Sequence, residues 1–127
     1  MKAKQIVFIG GILNTLMSLF HIFLIYQIYV FNYGKPYYPL LQLFAIGGCI
    51  MIIFLAYTSL LYSDEMVTSK LGKTVIALNI LIYLSRAIGE ITLTTAPRPI
   101  IIVVCLILVV LYLSACVIDK RTSLEKK

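Results

Sequence analysis

Four runs of apolar residues, each long enough to cross a bilayer and each closed by a short polar break, fill nearly all of this chain. A helix needs about 20 such residues to span the hydrocarbon. Of the 127 residues, 61% are hydrophobic and only 13% charged. Soluble domains run near half and a quarter. A soluble fold this short could not hide so much apolar surface, because small domains bury a modest fraction of what they expose. The composition therefore predicts an all-α, four-helix transmembrane bundle, with residues 1–127 forming one membrane domain and no second domain.

The expected spans are 6–31, 39–62, 71–93 and 99–118. Turn chemistry at Asn32-Tyr33-Gly34-Lys35-Pro36 separates the first two. Ser63-Asp64-Glu65 interrupts the run after the second, and Thr68 or Ser69 is placed to N-cap the third. Ala96-Pro97-Arg98-Pro99 precedes the fourth, with Pro99 suited to a first helical turn. Lys2 and Lys4 before an apolar stretch resemble a signal peptide. The stretch is too long for one and no small-x-small cleavage site follows, so it reads as a retained span. The tail from Asp119 is polar and expected to fray.

The net charge of +6 is not a nucleic-acid signature, because the basic residues sit at the ends of the apolar runs. One side of the membrane would hold Lys2, Lys4, Lys70, Lys73, Lys120, Arg121, Lys126 and Lys127, and the other only Lys35 and Arg98. The positive-inside rule then predicts both termini in the cytoplasm (N-in/C-in), and the expected location is the cell's inner, plasma membrane. Lipids are the expected partners, the basic tail beside anionic headgroups included.

The informative residues are the polar ones inside the spans. Positions three, four or seven apart share a helix face. Asn14, Ser18 and His21 form one such stripe on the first span, and Asn79, Tyr83, Arg86 and Glu90 another on the third. Gln42 and Cys49 share a face of the second. The fourth, with no strongly polar residue before its end, reads as a scaffold helix with much lipid contact. Ile12-Leu13-Asn14 reads like Ala77-Leu78-Asn79, and the same offset sets His21 on Arg86, as a faint parallel duplication would.

Arg86 is the hardest to explain away, since a mid-span charge costs about 2.5–3.5 kcal/mol on insertion scales. Glu90 lies one turn on and can pair with it. The order is the less favourable one, and an acid near its own helix's C-terminus opposes the dipole. Glu90 is therefore expected to neutralise Arg86 or to meet a ligand or proton. The alternative is a structural pin, with Arg86 snorkelling outward. His21, at similar depth, is either interhelical glue, as Asn14 and Asn79 can be, or a proton switch. Gly10, Gly11, Gly47, Gly48, Ala77, Ser85 and Gly89 are expected at close helix contacts, with Ser85 and Gly89 on a face apart from Arg86 as a packing or dimer seam. Cys49, Cys105 and Cys116 have no CxxC spacing and read as packing residues.

One histidine cannot ligate haem twice, and no cysteine, histidine and carboxylate set reaches a metal site's ligand number. No cofactor is expected. Glycine-rich nucleotide loops are missing. Ser18 and His21 are close enough to touch but have no supporting acid on their helix, so no catalytic constellation is evident.

Asn14-x-x-Met17-x-x-x-His21-x-Phe23, Thr68 with Gly72 before the third span, and Ser85-Arg86-Ala87-x-x-Glu90 resemble a group of small four-span bacterial integral membrane proteins with no assigned function. The resemblance implies the four-span architecture and groups His21, Arg86 and Glu90; it implies no substrate. The sequence leads to a non-enzymatic binding or accessory protein, with a polar pocket between the first and third spans for a lipid-like or small anionic ligand or a partner helix. A small oligomeric transporter or channel is the first rival reading. A membrane enzyme acting on a lipid or quinone is the second.

Overall fold

A computed structural model describes residues 2–93 and 98–125, with side chains as far as Lys120. The elements in order are α1 (Ala3–Asn32), α2 (Tyr38–Leu61), α3 (Ser63–Thr68), α4 (Lys70–Leu93) and α5 (Pro99–Glu125), with no strand among the described residues. Four of them, all but α3, are long and apolar enough to cross a membrane. The bundle is thus the expected all-α one, and helix ends agree with the expected spans to within three residues, except at the last. There α5 continues as helix to Glu125 instead of fraying after Asp119. The Asp119 carboxylate, held 2.8 Å from the Lys73 ammonium, ties that last stretch to α4.

The breaks follow from local chemistry. Gly34 takes a left-handed φ of 81° in the α1–α2 turn, which a Cβ would strain. Ser69, not Thr68, caps α4: its Oγ accepts the Gly72 N–H at 2.9 Å. Asp64 and Glu65 occupy the first turn of α3, where the helix dipole favours acids. Pro99 opens α5, where its missing N–H costs nothing. The α3–α4 corner is so tight that a Cβ on Gly72 would collide with the backbone of Glu65 and Met66. Gly72 is therefore a requirement of that corner. Lys4, at the start of α1, reaches Asp64 at 3.3 Å, so the start of α1, α3, the start of α4 and the end of α5 share one face of the bundle.

Helix packing is uneven. α1 lies against both α2 and α5, and α4 lies against α5. α2 and α4 have almost no backbone contact, and α1 and α4 are joined mainly through side chains. The cross-section is therefore an open arc in the order α2, α1, α5, α4. α3 bridges its ends at the face that carries the termini, touching α1, α2, α4 and α5. Core residues come from α1 (Ile6, Val7), α3 (Met66, Val67), α4 (Ile76, Tyr83) and α5 (Cys105, Leu108, Tyr112). The fourth span keeps a broad exposed apolar face, with Ile100, Val103, Ile107, Val110 and Val117 among its exposed residues, and buries one stripe. Its stripe Ile101, Cys105, Leu108, Tyr112, Ala115 is buried at helical spacing. α2 is the more exposed helix, with 22% of its span buried against 28% for α5.

The small residues also divide. Gly10 and Gly11 allow close contact as expected: a Cβ would come within 2.7 Å of the Tyr112 ring and 2.9 Å of Leu60 respectively. Gly47, Gly48 and Gly89 do not, since a Cβ on any of them would meet nothing closer than 3.9 Å. Ala77 and Ser85 are exposed as well. Cys49 and Cys105 are buried packing residues, whereas Cys116 faces outward.

Candidate functional site

Two polar constructions emerge from the expected stripes. The first is a buried knot at the middle of the bundle. Asn14 of α1 donates from Nδ2 to Asn79 Oδ1 (3.1 Å) and to the Tyr112 hydroxyl (3.0 Å), and its Oδ1 accepts the Tyr83 O–H at 2.5 Å. The Tyr112 hydroxyl also shares a hydrogen bond of 2.8 Å with Ser59 of α2. Asn79 turns its own amide to the Val75 carbonyl. Asn14, Ser59, Asn79, Tyr83 and Tyr112 are all at most 2% exposed. Every long helix contributes to the knot. In hydrocarbon a polar side chain without a partner is costly, so such a knot selects one helix register and closes the bundle core. Asn14, Asn79 and Tyr83 were legible in the sequence. Ser59 and Tyr112 were not. The available signal was a tyrosine deep in an apolar run, away from the interfacial belt, where its hydroxyl requires a buried partner.

The second construction is a cavity of about 460 Å³ in the half of the bundle away from the termini. Met17 and His21 of α1 form its back wall, and Gly48, Met51 and Ile52 of α2 form one flank. Ile82, Tyr83, Ser85, Arg86, Gly89 and Leu93 of α4 form the other. This flank is a single helical stripe, so Ser85 and Gly89 share the cavity with Arg86 and are not a separate seam. Gly48 and Gly89 leave the space open. Because α2 and α4 do not pack on each other, the cavity opens sideways between them, toward lipid. Tyr83 belongs to both constructions: its ring lines the cavity and its hydroxyl ends in the knot. Below it the knot seals the interior. A second hollow lies between α2 and α4 nearer the termini, lined by Phe54, Thr58, Met66 and Val75 among others.

Arg86 lines the cavity and its side chain is 45% exposed, whereas its partner Glu90 is 4% exposed. Arg86 Nη2 lies 3.0 Å from Glu90 Oε2, so the expected neutralisation is present. Glu90 has a structural reason beyond that. Its Oε1 accepts the Arg98 backbone N–H at 3.2 Å, at the entry to α5. A carboxylate that opposes the dipole of its own helix thereby sits favourably at the N-terminus of the next. His21 is half-buried, and its Nδ1 lies 3.0 Å from the Met17 carbonyl. Ser18 Oγ donates to the Asn14 carbonyl at 2.9 Å. Each thus bonds its own helix, and among the described residues no Ser18–His21 hydrogen bond forms. Ser18 is buried outside the cavity lining. The seven expected residues therefore divide: Asn14 and Asn79 in the knot, Tyr83 at its junction with the cavity, His21 and Arg86 on the cavity, Glu90 behind Arg86, and Ser18 in packing. No group of three or more histidine, cysteine and carboxylate side chains is placed to hold a metal among the described residues.

By fold and site this is a multi-pass helical membrane protein with a laterally open, arginine-lined cavity. Comparison with protein-family models, curated proteins and solved structures gives no match for the chain, so its own geometry carries the functional argument.

Proposed function

We propose that this protein is a non-enzymatic binding or accessory protein of the bacterial inner membrane, with both termini cytoplasmic. It takes a lipid-like molecule sideways from the bilayer into the α1/α2/α4 cavity. The observation that carries this reading is the position of Arg86, a guanidinium on the wall of a largely apolar cavity that opens between two helices which do not pack on each other. Its volume lies in the range of small-ligand sites, which combine apolar walls with a few convergent polar groups. Arg86 Nη2 pairs with Glu90, and a guanidinium carries five N–H donors in a planar fork, more than one carboxylate oxygen can take up. Remaining donors are available to a headgroup oxygen, while the acyl portion lies along Met17, Met51 and Ile52. The buried knot of Asn14, Tyr83 and Tyr112 closes the interior between α1, α4 and α5 below the cavity, which favours binding over passage through the bundle core.

The test is lipid retention. Protein extracted in mild detergent and examined by native mass spectrometry is expected to carry a bound amphiphile. Arg86→Gln should lose it while keeping the helical circular dichroism of the wild type. Equal retention by both proteins would refute the role of Arg86. Counter-evidence in favour of the transporter rival would be solute or ion flux in liposomes that Glu90→Gln abolishes.

A further inference from the structure

We infer that the cavity selects a neutral amphiphile whose head carries a hydroxyl beside a carbonyl or ether oxygen, with the hydroxyl donating to His21 and the oxygen accepting from Arg86. This rests on the binding reading above and adds the chemistry of the head.

The first support is the tautomer of His21. The Met17 carbonyl can only accept, so the 3.0 Å contact at Nδ1 requires the ring proton there. In the neutral imidazole Nε2 is then a bare acceptor. His21 makes no other hydrogen bond to the described residues, and its ring lines the cavity. Ser85 gives a second acceptor: its O–H is spent on the Ile82 carbonyl at 2.9 Å, which leaves its lone pairs to the cavity. The wall therefore offers acceptors at His21 and Ser85 and donors at Arg86. A head that only accepts, such as an ester or a carboxylate, would leave His21 Nε2 facing it without a proton between them.

The second support is charge. Arg86 is already paired with Glu90 at 3.0 Å, and the rest of the lining is apolar or uncharged. A carboxylate head would bring a second negative charge to a guanidinium that already has one, into surroundings that solvate a net charge poorly. A neutral hydroxyl-bearing head needs no such compensation and satisfies both sides of the wall.

Three oleoyl amphiphiles separate the possibilities: monoolein, which has hydroxyls beside its ester; methyl oleate, which only accepts; and oleate, which is anionic. Each is titrated into protein reconstituted in nanodiscs, with the rise in unfolding temperature as readout, since a ligand of the folded state stabilises by mass action. Monoolein is expected to bind about tenfold more tightly than methyl oleate, the factor one good hydrogen bond supplies. His21→Phe should erase that preference. His21→Gln, which restores an acceptor, should return part of it. Tightest binding by oleate would overturn the inference while leaving a lipid site at Arg86 intact, as would a monoolein preference that survives His21→Phe. If no probe shifts the wild type, and Gly89→Leu, which fills the cavity, behaves identically, the binding reading itself fails along with it.

Discussion

Replacing Asn14 by leucine should destabilise the bundle more than any other single polar-to-apolar change in the spans. Leucine is close in size, so little volume is lost, and the effect is that of the hydrogen bonds. Three are removed: those to Asn79, Tyr112 and Tyr83. Interhelical hydrogen bonds in membranes are worth roughly 0.6 kcal/mol on average and up to about 1.7. Three of them amount to about 2–5 kcal/mol. Two consequences push toward the upper part of that range. Tyr83, 2% exposed, loses the acceptor of its hydroxyl, and Asn79 Oδ1 loses its donor. The cost of orphaning a buried polar group is about 1–3 kcal/mol. The assay is reversible unfolding from mixed micelles by sodium dodecyl sulfate, followed by circular dichroism, in a double-mutant cycle with Tyr83→Phe. Tyr83→Phe alone should cost about 1 kcal/mol. In the Asn14→Leu background it should be neutral or stabilising, since it removes the orphan. Strict additivity of the two changes would refute the reasoning, because residues sharing a hydrogen bond must couple.

Gly72→Ala should destabilise by about 1–3 kcal/mol or prevent insertion of a stable bundle, since its Cβ meets backbone rather than a flexible side chain; the same unfolding titration reads it. Arg86→Met removes the Arg86 cation from beside the Glu90 carboxylate, which is 4% exposed, and should cost more than Arg86→Met combined with Glu90→Gln. Breaking a buried pair from one side costs about 3–5 kcal/mol, and the exposure of Arg86 places this case at or below the lower figure. Gln42→Met should stabilise by about 1 kcal/mol, because the Gln42 Oε1 is buried without a hydrogen-bond partner among the described residues.

The spans and their punctuation were legible because the bilayer imposes a length and the apolar runs meet it. The polar stripes were legible because polar residues stand out in apolar helices and recur at helical spacing, which brought Asn14, Asn79 and Tyr83 together correctly. Tyr112 escaped because tyrosine counts as neither clearly polar nor out of place, and Ser59 because a lone serine is unremarkable in a membrane helix. The second reason for Glu90 lies eight residues on, in the Arg98 N–H, a contact that exists only once the α4–α5 connection has folded back. The open side of the bundle was not legible either. Gly48 and Gly89 look like packing residues in sequence, and only the missing α2–α4 contact turns them into empty space.

A lipid with a photoactivatable group along its acyl chain probes that empty space directly. Irradiated in nanodiscs, it should label Met17 and Met51, which lie inside the opening, and Gly89→Leu should sharply reduce that labelling while leaving outward positions such as Phe44 and Leu106 marked as before. Labelling confined to the outward positions, or unchanged at the two methionines when the glycine is filled, would contradict a chain entering between α2 and α4.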